Sequence, residues 1–519
     1  MVVTWITIGI YVAVLVVVAL VSSRSSKSIS DLTVGGRNMG AWLSALSYGT
    51  AYFSAVMFVG YAGSTGYAFG LWGVLAGLGN VVFGSLLAWL LLARRTRDIS
   101  ARLKLHTMPE FLETRYNSKA LKLFSCVVIF FFLSPYSASV YRGLGSISQV
   151  LLGIDDTKFM IIIAVLSALL LVFGGYLVQA RADFIQGIIM VGGVVLLIFF
   201  MVRSEQVGGL QGIAEYAKTA AGLPKLDGKL WWALLSLVFM TSFGTWGLPH
   251  MIQKYFGIRS DAQAKRGVWI STAFALLVAG GGYFIGSLCH RFSSDHFAGL
   301  EQIYKNTFKD YIIPTMLHDV KLPWAETIGL PHVLLGVVLV LLLAASVSTL
   351  CSVALTASST LVMDFFRSLR PKTKEGSLKI GTKLVCVLFV ALSYFIAKSN
   401  TPIINLMSYS WGIISGSFLA PYVLSLYFKG INKIGAWCSV LIGFGIAAIP
   451  AVCKIITIID KTAAPSVTIL ANQGSQYAVM AMAASIVVCL LVSLIANGFK
   501  KKIDNPFFYE GTREEAGNA

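Results

Sequence analysis

Apolar residues along this chain cluster into long runs separated by short polar connections. The runs lie near 4–22, 41–69, 71–93, 121–149, 158–178, 182–203, 230–255, 267–289, 331–366, 380–398, 403–428, 433–456 and 475–498. Most reach the roughly 20 residues that a membrane-crossing helix needs. Two of the longest do not read as continuous helices. The second run holds Gly49, Gly60, Gly63 and Gly66 among Ser44, Ser47, Thr50 and Ser54. The seventh carries Thr241-Ser242-Phe243-Gly244-Thr245-Trp246-Gly247-Leu248-Pro249-His250. Glycine weakens a helix by about 1 kcal/mol and proline by about 3. In a membrane such breaks survive only where the backbone is buried in protein or lines a cavity. They lie five runs apart, and paired interruptions in corresponding positions point to an inverted-repeat transporter.

The ninth run has a face of a different kind. At 3.6 residues per turn, Ala345, Ser348, Thr349, Ser352, Thr356 and Ser359 share one side, small and hydroxyl-rich. Such a stripe faces other helices or a polar cavity. It reads either as a packing face or as hard oxygen ligands for a monovalent cation such as sodium.

Composition narrows the class. The chain has 519 residues, 56% hydrophobic and 12% charged. Backbone groups in lipid must be satisfied internally, so long apolar runs mean an all-α, polytopic membrane protein of about thirteen spanning helices. A barrel would show short alternating segments instead. The net charge of +18 sits in alternate connections rather than in a basic tail. It is therefore a topology signal and not a nucleic-acid surface. Arg24, Lys27 and Arg37, the group Arg94 to Lys119, the group Lys254 to Arg266, the group Arg367 to Lys374, and Lys500 to Lys502 fall on one side. They do so if the N-terminus is outside and the C-terminus is cytoplasmic. The 7 cysteines lie mostly in apolar runs and read as small core residues. The first run lacks a basic leader and a small-residue cleavage site, so it reads as a retained anchor. Residues 290–330 form the longest outside connection, with short surface helices expected.

Several motifs occur together in order. They are Gly35-Gly36-Arg37, Met108-Pro109-Glu110-Phe111, Phe173-Gly174-Gly175-Tyr176 with Asp183 and Gln186, Gly247-Leu248-Pro249-His250, Ala344-Ala345-Ser346-Val347-Ser348-Thr349, and Tyr409-Ser410-Trp411. In this ordered set the chain resembles the sodium/solute symporters, which include proline, pantothenate, monocarboxylate, sialic acid and sugar carriers. The resemblance implies a LeuT-type core of two five-helix inverted repeats. It implies a sodium site built from the carbonyls of Thr50, Phe53 and Ala345 and the hydroxyls of Ser348 and Thr349. The proline carriers have an aspartate where this chain has Tyr52, and an aromatic pair at Thr241 and Thr245, so the match is nearer the pantothenate and monocarboxylate members.

The expected division is an N-terminal anchor and loop (1–40), a first repeat (41–203), an extracellular connection (204–229), a second repeat (230–428), two peripheral helices (429–498) and a cytoplasmic tail (499–519). Ionisable groups at membrane depth mark function by default. Asp183 reads either as a surface acid at a helix start or as part of an inner cavity, with Arg181 as its partner. Arg142 reads as a snorkelling side chain or as an anion contact in the outer vestibule. His250 reads as a hydrogen-bonded structural residue. The solute and gating set is Tyr52, Ser54, Arg142, Asp183, Thr245, Trp246, Tyr409 and Trp411. The function expected is sodium-coupled import of a small organic solute through the cell membrane, most simply one bearing a carboxylate. An amino acid, a sugar, a proton-coupled carrier and a transporter-like sensor are the alternatives. Neither an enzyme nor an obligate protein partner is expected.

Overall fold

The computed structural model describes residues 2–23, 33–173, 175–292, 294–322, 330–399, 401–460, 462–498 and 504–509. Among the described residues the chain is helical and has no strand; one isolated parallel bridge pairs Met39 with Ile258. Among the described residues nine helices are long and apolar enough to cross a membrane, or 10 with the bent pair Gly228–Trp246 and Pro249–Phe256 taken as one. The first run forms Val2–Ser23.

The helical path Val56–Arg102 holds two legs, not one. It turns back at Gly70, whose φ of +55° suits glycine. Gly73 consequently lies against Thr65 and Gly66. The second leg continues to Arg102, past the expected end near residue 93.

Both expected interruptions are present. Ala41–Tyr52 stops at Phe53, which is extended at φ −106° and ψ 115°. The helix resumes at Val56. In the seventh run Leu248 is extended and Pro249 opens Pro249–Phe256. The two halves are bent by 42°. Proline disfavours helical backbone in the residue before it, and its missing N–H costs nothing at a first helical position.

Glycine lets backbones meet at two crossings. A Cβ on Gly66 would stand 1.9 Å from the Gly286 carbonyl oxygen, and one on Gly443 would stand 1.9 Å from that of Gly416. The first crossing joins the second run to the eighth; the second joins the eleventh to the twelfth.

The basic connections gather at one end of the bundle. Arg37 donates to the carbonyls of Leu105 and Phe256. Arg94 and Arg97 pair with Asp261. Arg115 reaches Ile431 and the Tyr509 hydroxyl. Lys119 reaches Ser368. Residues 504–509 dock here too: Tyr509 donates to Ser425 O at 2.6 Å, and Asn505 to Thr114 O at 2.7 Å. The other end joins Arg291 to Gln206, Tyr216 to Ser287, and Asp310 to Ile403. The long connection forms the expected short helices Ser294–Tyr304, Lys305–Tyr311 and Ile312–Asp319. Gly174, Arg24, Lys27 and Lys500 to Lys502 lie outside the described residues.

One expectation fails here. Lys254 belongs to no connection: it lies within Pro249–Phe256 and is fully buried. Its neighbours Arg259 and Lys265 made it look like one more topology charge.

Candidate functional site

The break in the second run leaves carbonyls without helical partners. Gly49 O still accepts from Phe53 N at 3.0 Å. Beyond it the chain leaves the helix, so the next carbonyls need other donors. Thr349 supplies one. Its hydroxyl lies 3.1 Å from Thr50 O, 3.4 Å from Ala51 O and 3.0 Å from Ala345 O. Tyr136 adds its hydroxyl to Ala51 O at 3.4 Å. Ser346, one turn away, accepts from Ala55 N at 3.2 Å. Four uncharged oxygens from two elements thus converge on one point, a donor set suited to a small hard cation. Thr50, Ala345 and Thr349 are brought together as expected. Ala51, Tyr136 and Ser346 were missed, because backbone carbonyls and ordinary tyrosines carry no sequence signal.

Ser348 points to another partner, donating to Asp183 Oδ1 at 2.6 Å. Asp183 is fully buried and is no surface acid. Its other oxygen accepts from Ser47 at 2.5 Å and from Lys254 Nζ at 3.3 Å. Lys254 also donates to Ser47 Oγ at 2.8 Å. The partner of Asp183 is therefore Lys254; Arg181, the expected one, is exposed. Four elements meet here: the first half of the second run, the sixth run, the second half of the seventh, and the ninth. Lower on the stripe, Thr356 donates to Gln253 Oε1 at 2.7 Å, so that part of the face is packing.

Beside the oxygen cluster lies a buried aromatic cluster. Tyr52 stacks on Phe53 at 4.1 Å and lies 6.1 Å from Trp411. Its hydroxyl donates to Thr241 O at 2.7 Å, tying the two breaks together. Tyr136 contacts both Trp411 and His250. Trp411 Nε1 and both His250 ring nitrogens are buried with no hydrogen-bond partner among the described residues. That corrects the hydrogen-bonded histidine expected from sequence.

The rest of the expected solute set is spoken for elsewhere. Ser54 Oγ accepts from Val56 N at 3.2 Å, capping the second half-helix. Thr245 bonds back to Ser242 O at 2.9 Å. Trp246 Nε1 donates to Phe83 O at 2.9 Å, on the third run. Tyr409 donates to Ala471 O at 2.7 Å, toward the peripheral helices. Arg142 is held away from the aromatic cluster by Ala397 O at 3.3 Å, Ser399 O at 3.0 Å and Asp310 at 3.9 Å.

A family model described as the sodium:solute symporter family matches residues 33–443. The chain belongs to this family. It is a transporter and not an enzyme, and sodium is its co-transported ion. A sodium/proline symporter of Staphylococcus aureus is 26% identical over 442 residues, covering 83% of each chain. The sodium/proline symporter of strain JH9 of that organism is 26% identical over 443 residues, again covering 83% of each. Among solved structures, a substrate-bound, outward-open Na+-coupled sialic acid symporter superposes with a TM-score of 0.71. It is 18% identical, covering 95% of this chain and 98% of that one. A nucleobase-cation-symport-1 family transporter, Mhp1, in a closed conformation gives 0.51 at 14% identity, covering 92% and 98%. At these identities the likeness is one of fold.

Proposed function

We propose that this chain imports a small organic solute together with sodium, the ion being held where the broken second run meets the ninth. The supporting observation is the Thr349 hydroxyl among the carbonyls of Thr50, Ala51 and Ala345. Phe53, extended at the break, and Ser348, whose hydroxyl would have to leave Asp183 to reach the ion, are the remaining members of the proposed set. Sodium would replace the hydroxyl proton as the group drawing these oxygens together. Binding there favours the arrangement in which the second and ninth runs are joined, and a ligand shifts an equilibrium only through such differential contact.

The two breaks belong to repeats at 41–203 and 230–428, linked by 204–229. The anchor at 1–40, the helices within 429–498 and the tail at 499–519 stand outside this core. Thirteen spans result, with the basic end cytoplasmic and the N-terminus outside.

The solute site is proposed at the aromatic cluster of Tyr52, Tyr136 and Trp411, whose packed rings part to admit it. A carboxylate suits the unpartnered Trp411 Nε1–H and the one N–H of the His250 ring, the buried donors there. It does not draw on Arg142, which is occupied by Ala397, Ser399 and Asp310. An amino acid is the second reading, favoured by the sodium/proline symporter relatives. Uptake into proteoliposomes at saturating sodium, with monocarboxylates, amino acids and neutral sugars as competitors, separates these. Competition by sugars alone would overturn the carboxylate reading.

A further inference from the structure

A buried carboxylate at membrane depth demands a positive partner, because burying one charge unpaired is strongly unfavourable. Asp183 has that partner in its own chain. Lys254 Nζ lies 3.3 Å from Asp183 Oδ2 and 2.8 Å from Ser47 Oγ, with the Tyr176 ring 5.1 Å away. Ser348 Oγ closes the group from the ninth run at 2.6 Å. Two carboxylate oxygens and two hydroxyls are the donors a free alkali cation would use, and here an ammonium stands among them. Two more buried oxygens adjoin this group: Gln179 Oε1 and Gln186 Oε1 have no hydrogen-bond partner among the described residues. With Asp183 and Ser348 they line a small cleft of about 30 Å³ between the first, fifth, sixth and ninth runs. The place is therefore built from oxygen acceptors, with room beside them for one small hydrated ligand.

We propose that the Lys254 ammonium is a tethered cation filling a monovalent-cation site at Asp183, so that a free sodium ion is kept from it. The inference rests on the sodium reading for Thr349 but concerns a second position. An attached cation never dissociates, so it holds the two halves of the core together without adding a transported charge. Ser348 gives its hydroxyl proton to Asp183.

The test counts sodium ions bound per purified carrier by equilibrium binding of radioactive sodium, without solute. Lys254→Ala is expected to bind one sodium more than the wild type. Lys254→Arg, which keeps a fixed cation, is expected to match the wild type. The neutral pair Lys254→Met with Asp183→Asn buries no unpaired charge, and is expected to bind as many as the wild type. An unchanged count in folded Lys254→Ala overturns the proposal. So does a neutral pair that binds one fewer, since Asp183 would then hold sodium beside Lys254; this arm decides the matter even if Lys254→Ala does not fold. Failure of the underlying reading looks different: Thr349→Ala would then bind sodium with the wild-type affinity.

Discussion

Tyr52 is the residue on which the two breaks lean. Its hydroxyl bonds Thr241 O, its ring stacks on Phe53, and Gly84 leaves it room: a Cβ there would stand 2.1 Å from the hydroxyl oxygen. Tyr52→Phe keeps the ring and loses one buried hydrogen bond, worth about 1 kcal/mol. Solute affinity in uptake assays is therefore expected to change by roughly fivefold, with sodium affinity nearly constant, because the sodium oxygens lie on other residues. A sodium affinity that shifts as far as the solute affinity would show that Tyr52 acts on both. Other residues reveal how far sequence alone could see. Thr349 and Ser348 were legible because small hydroxyls recur at helical spacing. Arg142 was legible as a charge at depth, but its partner Asp310 is 168 positions on, in a polar connection. Lys254 was hidden because a lysine beside a basic loop looks like topology, and its pairing with Asp183 depends on tertiary contact.

At the scale of elements, the two breaks were readable from glycine and proline, whereas the glycine crossings were not. Gly66 and Gly286 look like ordinary small residues until backbone meets backbone. A Cβ on Gly66 would meet backbone atoms that cannot rotate away. Gly66→Ala is expected to destabilise the carrier by about 1–3 kcal/mol, as overpacking does. Thermal unfolding in detergent measures this, and an unchanged midpoint would mean the crossing yields easily. The connection that carries Lys305–Tyr311 forms a latch. Asp310 accepts from Ile403 N at the start of the eleventh-run helix and faces Arg142, with Lys309 beside it. Burial raises its carboxyl to about 7, against the pull of Arg142. A raised acid favours the latched state most below its solvent value of 3.8, and that advantage is lost as pH rises through about 7. Labelling of a cysteine placed behind the latch should therefore speed up between these pH values and level off above. In Asp310→Asn the pH dependence should vanish; its persistence would assign the titration to another group.

For the whole molecule, the central claim is that sodium binds where the second run breaks against the ninth. The architecture that brings these runs together was foreseeable, since apolar runs, basic connections and breaks all lie in the sequence. Which hydroxyl faces which carbonyl was not, because that depends on the rotation of one helix against another. The most direct measurement is the sodium dependence of solute uptake in proteoliposomes, wild type against Thr349→Ala. The variant removes one ligand of about five and deletes no helix-forming residue. The half-saturating sodium concentration is expected to rise roughly tenfold, a loss of ~1.4 kcal/mol, with insertion and folding intact. A folded Thr349→Ala carrier with the wild-type sodium dependence would contradict the account.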